Sequence, residues 1–350
     1  PIGEGNATKR RLSADPVIAG GTIFTQDSAA GVRAFNTSGR LLWSTDLTPA
    51  SDQYGQASGG GLAFGGGRLF ATTGYGEVIA LDAETGAIFW RHKMGSAISA
   101  APVVIGDHVI VVARNNIAQS LTQSYGRIEW EQRSTGEDPG LVGAGAPAAL
   151  PRLAVLPFTN GELIAALTLN GQRVWSTAVT GTRVGLARSQ VADISGDPVI
   201  AGDTVYAANQ SGRLVSVDRR TGDRNWTAQD GSYSPVLPVA GSVFMITDTA
   251  ALKRLDASDG SEIWSVELPE YEPVGRWRRT PLDAYVYYGP VLAGGRLIVA
   301  GSDGVMRHYD PQTGAALSTF EIPGGAASHV AIAGGRLYIV SGDGKLHAFQ

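Results

Sequence analysis

The chain has no cysteine in its 350 residues. That absence removes disulfides, thiolate metal sites and cysteine nucleophiles together. It suits a reducing or an oxidising compartment equally and does not locate the protein. No apolar run approaches the roughly 20 residues of a membrane-spanning helix, and no leader pattern is visible. The first residue is Pro1 rather than methionine, so a processed or trimmed form is expected, with any targeting segment upstream. Charge is also scarce. Lys and Arg number 28 against 32 Asp and Glu, a net charge of -4, and the basic residues are scattered. No nucleic-acid surface is expected from that distribution. Missing too are a Gly-x-Ser-x-Gly elbow, a phosphate-binding Gly-x-x-x-x-Gly-Lys loop and any sustained helical period.

Against these absences one phrase recurs. A turn ending in glycine is followed four residues later by tryptophan, at Gly39/Trp43, Gly86/Trp90, Gly126/Trp130, Gly171/Trp175, Gly222/Trp226 and Gly260/Trp264. A seventh copy, Asp310-Pro311-Gln312-Thr313-Gly314, carries Ser318 in place of the tryptophan, and an eighth stops at Phe349 before its turn. Between phrases lie three short β-rich runs split by glycine-bearing turns, as at Val199, Val205 and Leu214. The aspartate of Asp-x-x-Thr-Gly can accept backbone hydrogen bonds within the turn, while the glycine supplies a positive φ. Each tryptophan is expected to seal the seam to a neighbouring unit.

Four-stranded units repeating at about 45 residues predict an all-β, eight-bladed β-propeller with four-stranded antiparallel blades. The repeats run without a break, so residues 1–350 are expected to form one domain, with 1–14 near the ring closure and 15–349 carrying the eight repeats. Residues 1–12 hold no tryptophan and few β-formers. The last blade is therefore expected to have a partial or poorly ordered fourth strand, its natural partner lying upstream of Pro1.

Candidate chemistry is thin. His92, His108, His308, His329 and His347 fall in different repeats without metal-ligand spacing, and structural or solvent-facing roles are expected for them. Gly59–Gly61 and Gly65–Gly67 flank β-runs with no helix after them, so hairpin turns explain these glycines better than a nucleotide site. No catalytic residue, cofactor-binding residue or metal ligand is assigned. The segment 268–288 breaks the rhythm with prolines, arginines and aromatics, among them Arg276 and Trp277. It reads either as an inter-blade loop packed on the propeller or as a binding loop.

The tandem Asp-x-x-Thr-Gly-x-x-x-Trp phrase resembles the docking motif of pyrroloquinoline-quinone-type propellers. One branch, the quinoprotein dehydrogenases, is longer and carries calcium and commonly adjacent cysteines, which this chain lacks. The other is the BamB family, lipoprotein subunits of the outer-membrane β-barrel assembly machine. Residues 191–199, Val-Ala-Asp-Ile-Ser-Gly-Asp-Pro-Val, resemble that family's Leu-Ser-Asp-Val-Asp-x-x-Pro-Val segment. Residues 140–147, Gly-Leu-Val-Gly-Ala-Gly-Ala-Pro, resemble its Ser-Leu-Arg-Gly-x-x-Ala-Pro loop. The resemblance implies a non-enzymatic scaffold without cofactor on the periplasmic side of the outer membrane, touching the membrane only through a lipid on a cysteine upstream of Pro1. It implies contacts to the POTRA repeats of BamA through Leu141, Val142, Asp193 and Ser195, with unfolded outer-membrane proteins as further clients. Two departures stand out. Val142 replaces the family arginine and Ser195 the second aspartate, removing a charge-assisted contact at each. The alternatives left open are a quinoprotein dehydrogenase and a periplasmic propeller with another partner.

Overall fold

In the first blade, strands Val17–Ala19, Thr22–Gln26, Gly31–Asn36 and Leu41–Asp46 pair antiparallel in chain order. The pattern recurs over 62–93, 103–133, 148–178, 199–228, 237–267 and 287–321. The computed structural model describes residues 1–7, 10–134, 145–179, 193–271 and 284–350. Among these are seven four-stranded sheets, one three-stranded sheet and no helix. The architecture is the expected eight-bladed propeller.

The second and third strands alternate like any strand, but both faces are buried. Val109, Val111 and Leu121 of the third blade face the second blade's Phe70 and Val78, whereas Ile110 and Val112 face Ala154 and Leu156 of the fourth. Eight apolar clusters fill eight seams in this way. The closing one joins Tyr338 and Val340 of the last blade to Ile23 and Phe35 of the first, with Ile2 and Leu12 between them. The ring is shut by burial at every seam.

The phrase that repeats in the sequence is a lock between neighbouring blades. The indole N–H of Trp43 donates to Ala83 O (3.0 Å), of Trp90 to Gln123 O (2.9 Å), of Trp130 to Thr168 O (2.8 Å), of Trp175 to Arg219 O (2.8 Å) and of Trp226 to Ala257 O (2.9 Å). Each acceptor lies in the next blade's Asp-x-x-Thr-Gly-type turn, and the glycine of that turn rests on the same indole. A Cβ at Gly171 would lie 2.7 Å from the Trp130 ring, and its φ is +69°. Glycine is thus required twice there, for the left-handed backbone and for the close approach. The aspartate works as the composition of the turn implies. Asp82 accepts from the amides of Glu84 (3.0 Å) and Thr85 (2.8 Å) and from the Thr85 hydroxyl (2.9 Å). These hydrogen bonds, led by the Thr85 hydroxyl, hold its carboxyl below the usual range.

The lock fades toward the closure. Gly314 approaches Trp264, but the Trp264 indole N–H is buried without a partner, and the equivalent carbonyl, Pro311 O, accepts from Arg254 (3.4 Å). Ser318, in the seventh blade, hydrogen-bonds His308 instead (3.2 Å). Gly39 has nothing within 4 Å of where a Cβ would stand.

The last blade has three strands, Ala331–Ala333, Arg336–Val340 and Leu346–Phe349. Among the described residues of the 1–12 segment none joins this sheet, so those residues supply no regular fourth strand. Ile2 instead donates its N–H to Gly344 O (2.8 Å). In other blades that bond is made by the residue that directly follows the fourth strand: Leu47 to Ala30, Met94 to Gly76, Val179 to Gly161, Leu268 to Ala250 and Ile322 to Gly304. All of these side chains are buried and apolar, as is Ile2. Residue 2 enters the eighth blade at the point where a fourth strand would have just ended.

Candidate functional site

Connections between blades leave the fourth strand beside the turn that joins the second and third, as those same hydrogen bonds show. The connections and these turns therefore share one face of the ring. Beside the connection 47–61, three on it are long: 134–147, 179–198 and 268–286. Leu141 and Val142 lie in the first, Asp193 and Ser195 in the second, Arg276 and Trp277 in the third.

Leu141, Val142, Arg276 and Trp277 lie outside the described residues. The feet of the first two connections meet. Gly145 N–H donates to Ile194 O (2.9 Å), and Ala146 N–H donates to the Asp197 carboxylate (2.6 Å). Asp193 is only 1% exposed. Its side chain is therefore inside the loop foot. Ser195 is half-buried and its hydroxyl donates to Ser232 O (3.3 Å).

The same face opens onto the ring axis, and there the structure assembles a cluster that sequence reading missed. Four residues before the end of each first strand, pseudo-symmetry places one residue at the innermost ring. From the first blade to the eighth these are Asp15, Gly61, Ala101, Ala146, Asp197, Pro235, Gly289 and His329. Five are small or lack a functional group, and three are ionisable. A structural or solvent-facing role is expected for His329 from the sequence; closure of the ring sets it against Asp15, 314 positions away in the chain. Its Nδ1 lies 3.0 Å from Asp15 Oδ2, and its Nε2 lies 3.1 Å from Ser234 Oγ. The rings of His329 and Tyr288 meet edge to face, with 5.5 Å between centroids. The available signal was the frame itself: Asp-Pro opens the repeats at 15 and 197, and alignment of the eighth repeat puts His329 in register with both aspartates.

The surroundings of this histidine favour its charged form. Ser234 can donate its hydroxyl proton to Tyr287 O (3.3 Å) and so accept from His329 Nε2. Nδ1 faces a carboxylate, and donation from both ring nitrogens is what the imidazolium form supplies. Burial lowers the His329 pKa, but the charge and hydrogen bond of Asp15 and the charge of Asp197 outweigh it and raise the value above the ordinary one. Burial likewise pushes Asp15 up, and His329 more than reverses it. Asp15 is enclosed by protein yet keeps 49% of its side chain open, because it borders the axial cavity. The pair's contribution to stability has two limits. The His329 part is full below pH 6.5 and is lost as pH rises through its higher native value; the Asp15 part is full above pH 3.8 and is lost as pH falls through its lower native value.

Asp197 has no such compensation. Burial pushes it up to about 6, opposed by the Ala146 amide and by His329. Its folded form holds the proton more tightly than the unfolded chain, so this group favours the fold below about pH 3.8 and loses that contribution as pH rises through 6. Asp197→Asn keeps an oxygen for Ala146 and removes the charge. Urea unfolding should find it about 2 kcal/mol more stable than the parent chain at pH 7.5 and close to the parent at pH 4. Equal stability at both pH values would show that Asp197 is not desolvated.

The cavity bounded by these groups has a volume of 280 Å³, and among the described residues no lysine or arginine lines it. A propeller of the quinoprotein type would house here a quinone bearing several carboxylates. The residues present do not fit that group, since the uncompensated charge is negative and both His329 nitrogens are already engaged. Among the described residues there is also no group of three His, Cys, Asp or Glu side chains placed to hold a metal ion.

A family model described as outer membrane protein assembly factor BamB matches residues 28–266 and 251–350. The chain belongs to the BamB family. The BamB of Shewanella oneidensis is 26% identical over 339 residues, covering 95% of this chain and 82% of that protein. The crystal structure of BamB from Moraxella catarrhalis superposes with a TM-score of 0.78 at 22% identity, over 99% of this chain and 97% of that one. The quinohemoprotein alcohol dehydrogenase of Comamonas testosteroni superposes with a TM-score of 0.70 at 15% identity, over 95% of this chain and 70% of that one. At such identities the structural likenesses concern the fold. Membership in the BamB family rests on the sequence match.

Proposed function

We propose that this propeller is a non-enzymatic scaffold of outer-membrane protein assembly, presenting its long-connection face to the POTRA repeats of BamA. The observation that supports this reading most is the junction of two separate connections at Gly145–Ile194 and Ala146–Asp197. It draws the two segments that resemble the family's contact loops into one patch on a rigid ring. Leu141, Val142, Asp193 and Ser195 are the contact candidates, with Arg276 and Trp277 as a further binding segment. The chain would work on the periplasmic side of the outer membrane, held there by a lipid in its full-length form. A second role is capture of unfolded barrel precursors by strand addition, in which backbone hydrogen bonds supply sequence-tolerant affinity.

Co-purification from detergent-solubilised outer membranes of the native host tests the reading. BamA is expected to accompany the full-length protein. Abundant membrane-bound propeller with no BamA would overturn it.

A further inference from the structure

The axial cavity holds one carboxylate oxygen that nothing in the protein satisfies. Asp197 Oδ1 accepts from Ala146 N–H, and among the described residues Oδ2 has no donor. Asp197 is half-buried, so this oxygen is open to the cavity rather than sealed in protein. The nearest cation cannot serve it, because His329 is spent on Asp15 and Ser234. Tyr288 contributes a hydroxyl that burial, and then Asp15, keep protonated by raising its pKa to about 12. It also contributes a ring to the cavity wall, as does Tyr233. With Asp15 and His329 cancelling, the lining carries one net negative charge. A carboxylate with a free oxygen beside aromatic faces is the arrangement that recognises an organic cation.

We propose that the axial cavity is a binding site for a primary ammonium or guanidinium group, seated on Asp197 between Tyr233 and Tyr288. Such a group supplies the missing donor and neutralises the uncompensated charge, and 280 Å³ accommodates the head group with a short apolar stem. Two sources share this chemistry, a free small amine and a lysine or arginine side chain of a docked protein. The second source rests on the scaffold reading above, whereas the site itself does not.

Calorimetric titration with n-butylammonium at pH 7.5 is the direct test, with butyrate as the charge control. The ammonium is expected to bind at one site and butyrate not at all. Asp197→Asn, which folds if the stability comparison above holds, should weaken the ammonium by about tenfold or more. Affinity should likewise fall at pH 5, where Asp197 takes up a proton while Asp15 stays ionised beside His329. Leu42→Ala, on the outer rim, should bind as the parent chain does, so that a loss confined to Asp197→Asn reports the site. No binding at millimolar ammonium, equal binding by Asp197→Asn, or butyrate binding as well as the ammonium would each refute the proposal. A second arm identifies the source. Saturating butylammonium that competes with capture of the BamA POTRA region points to a basic side chain, and binding without competition points to a small amine. Failure of POTRA capture in the absence of any amine would count against the scaffold reading and leave the titration to decide the cavity.

Discussion

Trp130→Ala is expected to destabilise the propeller by about 3–5 kcal/mol, the cost of emptying a large aromatic site in a core. The side chain is 7% exposed, packs in the seam between the third and fourth blades, and anchors to Thr168 O. Gly171→Ala attacks the same lock from the other side. Its Cβ would stand 2.7 Å from the Trp130 ring on a left-handed backbone, so about 1–2 kcal/mol of backbone strain adds to about 1–3 kcal/mol of overpacking. Gly39→Ala provides the internal control. It has the same kind of backbone, with φ +82°, and nothing within 4 Å, so only the strain should remain. Because Trp130 and Gly171 share one contact, the double variant should cost less than the two singles added. Additive effects, or equal costs for Gly171→Ala and Gly39→Ala, would show that the glycines serve turn geometry alone. Chemical denaturation of the four variants gives the answer.

The second large effect is expected in the seventh blade. Asp303 sits in the turn between the second and third strands and takes a two-pronged ion pair from Arg307, one arm at 3.1 Å. The two side chains are 7% and 14% exposed. Tyr287 leans on the pair, its hydroxyl donating to Pro269 O (2.7 Å) and its ring 5.6 Å from the guanidinium. Burial, and then the Asp303 charge, raise the tyrosine's pKa, so it stays a donor. Asp303→Ala leaves the guanidinium buried without its counter-charge and should cost about 3–5 kcal/mol. Removing both partners with Asp303→Ala and Arg307→Met should restore much of that loss. If the double variant is no more stable than Asp303→Ala, the buried charge is not the cause.

Most of the fold is legible in the sequence because its rule is local. Glycine and tryptophan four residues apart mark a turn and the strand that leaves it, and six copies imply a ring before any contact is known. What that spacing does not reveal is that the glycine of one phrase touches the tryptophan of the previous one. The lock is between copies, so it becomes visible only once neighbouring blades face each other.

The site was less accessible for the opposite reason. Asp15, Asp197 and His329 are far apart in the chain and belong to three residue contexts with no common motif. Only rotational pseudo-symmetry brings one position of every repeat to the axis. The connections behaved in a mixed way. Asp193 resembles a contact residue by motif, and the structure buries it in the loop foot, which no single-sequence pattern reveals. Ser195, two positions on, retains partial exposure on the same turn.

The claim at the centre of this account is that the long-connection face binds BamA, and titration of the purified POTRA region of BamA from the same organism tests it most directly. The account predicts a saturable one-to-one complex, weakened about tenfold by Leu141→Ala. Val142→Arg together with Ser195→Asp should tighten it, since these changes restore the charge-assisted contacts that the family motif carries. Absence of a complex with the parent chain, or binding indifferent to all three positions, would contradict it.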